Sequence, residues 1–322
     1  MTQRVAASRL LPEQRLSAAA RLVGCPEGGS AARRFLDAAP ATGIDPSLIW
    51  VTGGPDGRIR QVCLAVLGSG RTAMLFLSGP DPSTGDEQTQ QAERAACVRA
   101  AGAYLDTETD AELMQALPSP GEFWAISAFR AGGLVDLAEL AYLRRVYRSS
   151  DRKAAPAALA DGIEIASIAS LGGLEATRND LISALEKSYE QTMDCPALCG
   201  MRDTSDVLES HMGVGEWDPA LWWLVRRNGS PEGCLLLNHC PELDSIELVY
   251  VGLSPAVRGL GLAHKLMCVG IAETHSLGAH EMTCAVDRAN SPALKLYTAL
   301  GFETFADRTA MVGAPGEVAQ SR

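Results

Sequence analysis

The sequence predicts a mixed α/β protein made of two tandem lobes, each with a mixed central sheet flanked by helices. In the second half, strand and helix patterns follow one another in the order strand, two helices, three strands, helix, strand, helix, strand. The first half carries three short apolar runs separated by turn residues, and the same meander occurs in the second half. Two copies of one plan predict a duplicated fold.

The two meanders and the segment between them set the expected boundaries. The first meander lies at residues 48–51, 61–66 and 72–77, and its counterpart lies at 221–225, 233–237 and 246–251. Residues 151–161 are small, include a proline and lack a periodic pattern, as a linker does. We therefore expect a first lobe at 1–150, a linker at 151–161 and a second lobe at 162–322.

Composition narrows the class of protein. With 322 residues, of which 47% are hydrophobic and 21% charged, the chain can bury two cores of ordinary size. The net charge of −11 argues against a nucleic-acid partner, and no apolar run is long enough to span a membrane. The first residues show no cleavable signal, and the nine cysteines lack metal-ligand spacing. We expect a cytoplasmic protein with reduced thiols and no metal.

The elements of the second lobe follow from local patterns. A strand is expected at 163–168, followed by helices at 171–192 and 205–212. The later elements are strands at 221–227, 233–238 and 245–253, a helix at 259–276, a strand at 281–287, a helix from 291 and a strand at 304–312.

The turn between the strand at 245–253 and the next helix predicts an anion site. Gly259 and Gly261 let the backbone approach a ligand, and the first amides of the helix point outward without partners. The turn is not a Walker loop, because Gly261 is followed by Leu262 and Ala263 rather than by Lys and Ser or Thr. It also lacks the third glycine of a dinucleotide fingerprint.

A second motif begins at Asn290 and ends at Phe302. Its residues predict a short helix, with Ser291 as the N-cap, Pro292 at the first turn and Gly301 in the left-handed position that follows. Its apolar face carries a tyrosine, Tyr297.

Together, the Arg-x-x-Gly-x-Ala sequence at 258–263 and the segment at 290–302 resemble the GCN5-related N-acetyltransferase (GNAT) superfamily. The resemblance implies transfer of an acetyl group from acetyl-CoA, the cosubstrate, to an amine by direct attack. It places the pyrophosphate on the backbone of Arg258, Gly259, Gly261, Leu262 and Ala263. Arg258 then either adds charge or fixes the loop.

The same resemblance assigns the pantetheine arm. The strand before the loop would splay from its neighbour, and the backbones of Val251 and Leu253 would bind the arm. Asn290 would either bond pantetheine or cap the helix.

Two residues are expected to move protons. Glu247 is the candidate base, because strand alternation places it on the face of Val251 and Leu253 and histone-type members carry a glutamate there. Tyr297 is the candidate acid for the leaving thiolate. A solvent-facing Glu247 and a purely packing Tyr297 are the structural alternatives.

The acceptor site is expected in the loop at 189–202. Tyr189 and Asp194 are the candidate acceptor-binding residues, and His211 or Trp217 could line the same pocket. The acceptor would be a small-molecule amine or a protein amine. A plain surface loop is the alternative.

The first lobe is expected to be a degenerate copy. Its loop at 78–86 contains Asp81 and Asp86 and no Arg-x-x-Gly motif, and Phe129 stands where the second lobe has Tyr297. Carboxylates would repel a pyrophosphate at this position. Alternatives for the whole chain are a non-catalytic acyl-CoA sensor or scaffold, and transfer of a longer acyl group.

Overall fold

The computed structural model describes residues 6–54, 57–152 and 159–320, and the chain divides into two compact units. Unit 1 contains the residues up to Ala138 together with those from Arg308 onward. Unit 2 contains Glu139–Asp307. Residues 153–158 of the expected linker lie outside the described residues.

The elements of the first part of the chain confirm the predicted meander. Its helices are α1 (Arg15–Leu22), α2 (Ser30–Ala38), α3 (Glu87–Glu108) and α4 (Phe123–Ala131). Its strands are β1 (Ser8–Arg9), β2 (Ile49–Gly53), β3 (Ile59–Gly68), β4 (Thr72–Leu77) and β5 (Leu113–Ala116). Neighbouring strands pair in this order, with β4 and β5 parallel and the others antiparallel.

The elements from residue 163 to residue 313 match the predicted order of the second half, and one strand before them and one helix after them were not predicted. The strands are β6 (Val135–Val146), β7 (Ile163–Ser167), β8 (Trp222–Arg227), β9 (Ser230–Cys240), β10 (Ser245–Leu253), β11 (Glu281–Asp287) and β12 (Glu303–Gly313). The helices are α5 (Leu174–Tyr189), α6 (Thr204–Met212), α7 (Leu262–His275), α8 (Ser291–Ala299) and α9 (Pro315–Gln320).

In unit 2, the sheet is built in the order β6, β11, β10, β9, β8, β7. Only β10 and β11 run parallel to each other among these pairs. One face packs on α7 and α8 through residues such as Leu248, Leu266 and Tyr297. The opposite face packs on α5 and α6 through residues such as Leu181 and Leu208.

Each compact unit contains part of a strand whose residues were expected in the other lobe. In unit 1, β5 pairs with residues 311–313 of β12. In unit 2, β11 pairs with residues 140–146 of β6. The compact units therefore differ from the contiguous ranges 1–150 and 162–322. Strands β6 and β12 each follow a short helix and a glycine turn, so the local sequence does not show which strand each of them pairs with.

No helix in the described ranges is both long and apolar enough to cross a bilayer.

Candidate active site

A gap between β10 and β11 forms the centre of the site. The two strands pair only from Ser245 to Glu247, opposite Glu281 to Thr283. Both strands continue beyond this point, to Leu253 and Asp287. Backbone groups past the last pair are thus not used between these two strands. This is the splay that the resemblance to the GNAT superfamily implied.

A β-bulge at Val249 corrects the expected position of Glu247. Leu248 pairs with Leu237 and Tyr250 pairs with Leu236, so Val249 is an extra residue. A bulge interrupts side-chain alternation. Val251 and Leu253 pack towards α7 and α8, whereas Val249 and Tyr250 pack towards α5 and α6.

Glu247 consequently lies on the face opposite Val251 and Leu253, because Ile246 and Leu248 beside it pack towards α7. Its Oε2 accepts a hydrogen bond from Thr283 on β11. Burial raises the pKa of Glu247, and the Thr283 hydrogen bond opposes this rise only in part.

The glycine turn has the conformation that an anion cradle requires. Gly259 and Gly261 have φ of +79° and +71°, and a Cβ on either would meet no atom within 4 Å. Helix α7 begins at Leu262 rather than at 259, because these left-handed glycines precede the first helical turn. The amides of Leu262, Ala263 and His264 have no intrahelical acceptor.

Arg258 fixes the loop. Its Nε donates to the carbonyl of Leu253 at 2.9 Å, and its guanidinium also donates to the carbonyls of Ser188 at 2.9 Å and Gln191 at 3.3 Å. The side chain thereby ties the end of β10 to the end of α5. Of the two expected roles of Arg258, these contacts favour the structural one.

The N-cap of α8 lies one residue earlier than expected. Asn290, not Ser291, is the N-cap, and its Oδ1 accepts from the backbone N–H of Ala293 at 3.2 Å. Tyr297 is 5% exposed and its ring lies 5.4 Å from that of Phe302. Burial raises the pKa of Tyr297 well above its ordinary value, so the phenol stays protonated.

Asp194 is clamped to the end of β11. Its Oδ1 accepts from the backbone N–H of Asp287 at 2.9 Å, and the Asn290 side chain also hydrogen-bonds the carboxylate. Asp287 in turn accepts from the backbone N–H of Cys195 at 3.1 Å. Burial raises the pKa of Asp194, and these hydrogen bonds lower it only in part.

One cavity of about 690 Å³ joins these parts. Its wall includes most of the predicted site residues, namely Asp194, Val251, Leu253, Arg258, Gly259, Gly261, Leu262, Ala263, Asn290 and Tyr297. Glu247 and Tyr189 do not line it. The Tyr189 ring instead packs against that of Tyr250, with centroids 6.0 Å apart.

Sequence reasoning missed Tyr250, which lines the cavity. Its hydroxyl is 2.7 Å from Ser188 Oγ, and its ring stacks on His211 at 5.6 Å. Trp217 packs on Trp222, and neither it nor His211 borders the cavity. Strict alternation along β10 would place Tyr250 on the α7 face, and nothing in the sequence marks the bulge that turns it towards α5.

The comparisons with known proteins fit this geometry. Residues 185–302, which include every part of the site described above, match the model of the Acetyltransferase (GNAT) family. This segment of the chain belongs to the GNAT superfamily. Over 98% of its length it also shares its fold, at a TM-score of 0.56 and 16% identity, with 97% of a GCN5-related N-acetyltransferase from Sphaerobacter thermophilus.

A second GNAT structure and one set of sequence relatives complete the comparison. A tandem GNAT protein from the clavulanic acid biosynthesis pathway matches at a TM-score of 0.50 and 13% identity, over 97% of this chain and 99% of that one. A mycothiol acetyltransferase from Thermomonospora curvata is 37% identical over 104 residues, which are 32% of this chain and 34% of that protein. One from Thermobispora bispora is 33% identical over 91 residues, 27% of this chain and 31% of that one. The chain thus spans about a third of the length of these relatives.

Proposed function

We propose that unit 2 transfers an acetyl group from acetyl-CoA to an amine by direct attack. The observation that carries this proposal is the single cavity that joins the glycine turn, the splayed strand end and the Tyr297 side chain. The named activity of the mycothiol acetyltransferases supports the same class of reaction.

The coenzyme fits the free backbone groups of the site. The amides at the start of α7 and the positive end of the helix dipole would hold the pyrophosphate. A Cβ at Gly259 or Gly261 would enter the open space needed for these phosphates. The backbone of Val251 and Leu253, which has no partner on β11, would bind the pantetheine arm, and Asn290 would border the site beside Tyr297.

In the proposed reaction, Tyr297 donates a proton to the thiolate as it leaves. A phenol that remains protonated in the folded protein is suited to this role. The acceptor is a small-molecule amine or a protein amine, which approaches from the side of Asp194. Tyr189 contributes to that side by supporting Tyr250.

Unit 1 is proposed to be a non-catalytic copy. The first turn of α3, which corresponds to the anion site of unit 2, is capped by Asp86, whose carboxylate accepts from the backbone N–H of Thr89 at 2.7 Å. Asp81 caps the preceding turn in the same way through Ser83. Two carboxylates therefore cap the turns in this region and would repel a pyrophosphate, and the buried Phe129 provides no hydroxyl.

Replacement of Ala263 by Glu should abolish most acetyl-CoA binding. Ala263 lies in the first turn of α7 and lines the cavity, so a carboxylate there would face the pyrophosphate. Repulsion of about 3 kcal/mol, from charges in a partly screened site, would weaken binding about 100-fold. Isothermal titration calorimetry would measure the affinity and the number of sites per chain.

Ala263→Gln is the matched control, because it has the same size without the charge, and it should bind much more tightly than Ala263→Glu. One site per chain in the wild type is expected. Equal affinities of the two variants would show that the pyrophosphate does not lie at the start of α7. Coenzyme binding with no turnover on any amine would favour the alternative function, a non-catalytic acyl-CoA sensor.

A further inference from the structure

The cavity contains a carboxylate whose role the proposed function leaves open. Of the two acidic candidates from the sequence, Asp194 lines the cavity and Glu247 does not. We propose that Asp194, on the loop after α5, is the residue that accepts the proton of the attacking amine. This inference rests on the proposed acetyl transfer.

The position of Asp194 relative to Tyr297 supports the assignment. Both residues line the same cavity, and the negative charge of Asp194 influences the pKa of the Tyr297 hydroxyl and that of the Tyr250 hydroxyl. Asp194 also accepts a hydrogen bond from the Asp287 amide, four residues before α8, the helix that carries Tyr297. Glu247 lies beside Thr283 on the last pair of the splayed strands, on the face opposite Val251.

Among the residues that the structure describes, no cationic side chain forms a hydrogen bond or an ion pair with Asp194. The groups that interact with it through hydrogen bonds or charge are Asp287 and Cys284 from β11, Tyr250 from β10, and Asn290 and Tyr297 from α8. Cys195 follows it in the loop. None of these groups is cationic, and the Asp287 carboxylate raises the pKa of Asp194 further. An ammonium ion entering the cavity would supply the missing positive charge, and Asp194 is a stronger base than an exposed aspartate.

The proton and bond changes are as follows. Asp194 takes one proton from the ammonium, and the free amine then attacks the thioester carbonyl, so that a C–N bond forms and the C–S bond breaks. A second proton leaves the nitrogen and ends on the coenzyme A thiol by way of the Tyr297 hydroxyl. Asp194 then releases its proton to solvent, and the products are the acetamide and coenzyme A.

The experiment compares kcat/KM between pH 6 and pH 10 for the wild type, Asp194→Asn and Glu247→Gln. The acceptor probe is the one among ethanolamine, spermidine and glucosamine that gives the fastest release of coenzyme A from acetyl-CoA. Asp194→Asn should lower kcat/KM about 100-fold near pH 7. Its deficit should shrink as the pH approaches the pKa of the probe, because the amine then arrives unprotonated.

Asp287→Asn is the structural control. Asp287 holds the same loop through Cys195 but does not line the cavity, so the loss of kcat/KM should be much smaller than in Asp194→Asn. Because the Asp287 charge raises the pKa of Asp194, removing it should shift the pH profile of kcat/KM to lower pH. Asp194→Asn keeps an oxygen that can accept from the Asp287 amide, and its affinity for acetyl-CoA should be unchanged.

Three results would overturn the proposal. A pH-independent deficit in Asp194→Asn would show a structural role. A deficit in kcat/KM that shrinks as the pH rises in Glu247→Gln, but not in Asp194→Asn, would assign the base to Glu247. Both of these leave the acetyltransferase function intact. Failure of the wild type to acetylate any probe while acetyl-CoA binds would instead contradict the proposed function and, with it, this inference.

Discussion

Tyr297→Phe should lower kcat about 100-fold while leaving acetyl-CoA affinity unchanged, since general acid catalysis contributes on this order. The substitution removes only the hydroxyl and keeps the ring that packs 5.4 Å from Phe302. Because burial raises the pKa of Tyr297 well above its ordinary value, the phenol should remain protonated at neutral pH. The deficit should therefore be constant between pH 6 and pH 8, measured as steady-state release of coenzyme A.

Phe302→Leu is a useful comparison for Tyr297→Phe, because it disturbs the same aromatic contact without removing the hydroxyl. It should lower stability more than kcat. A Tyr297→Phe variant with wild-type kcat would remove the proton donor from the mechanism and leave Tyr297 as a packing residue of α8.

Asp151→Ala should destabilise unit 2 by about 3–5 kcal/mol, because it leaves a buried arginine without its counter-ion. Arg145 and Asp151 form two hydrogen bonds of 2.8 and 2.7 Å, and their side chains are 7% and 9% exposed. Arg145 also donates to the carbonyl of Leu300 just after α8, at 2.7 Å. The pair thereby supports the helix that carries Tyr297.

Hydrogen exchange of the β11 amides in increasing urea would measure this loss within unit 2. Glu209→Ala is the control, because it breaks an ion pair with Arg178 whose side chains are 34% and 44% exposed, and it should cost less than about 1 kcal/mol. Equal losses of stability in Asp151→Ala and Glu209→Ala would contradict the expectation that the buried ion pair contributes more than the exposed one.

The stability from Asp151 should also depend on pH. Burial acts to raise the pKa of Asp151, but the hydrogen bonds from Arg145 and from the backbone of Arg148, with the charge of Arg145, lower it below its ordinary value. A carboxylate whose pKa is lowered by folding stabilises the folded state above its unfolded pKa of about 3.9. This stabilisation is lost as the pH falls through the pKa of the folded state. The difference between the wild type and Asp151→Asn should therefore narrow below about pH 4.

Local patterns in the sequence were enough to predict most of the elements around the site. The bounds of β10 and β11 agree with the predicted 245–253 and 281–287, because their apolar runs end at clear turn residues. The glycine turn, Asn290 and Tyr297 also lie together as expected. Each of these features depends on residues close together in the chain.

The errors came from effects that local patterns do not encode. The side-chain direction of Glu247 depended on a single bulge residue, Val249, because one extra residue reverses alternation for the rest of a strand. The partners of β5 and β11 depended on contacts between residues far apart in sequence. Periodicity identifies such strands but not their neighbours.

The origin of residues 311–313 affects how the protein can be made. These residues pair with β5 in unit 1, although most of unit 1 precedes Glu139. During synthesis on the ribosome, the first 138 residues are complete in sequence long before this strand emerges. The edge of β5 then stays unpaired until residues 311–313 have been synthesised. During this time the exposed edge could pair with a wrong strand or bind a chaperone.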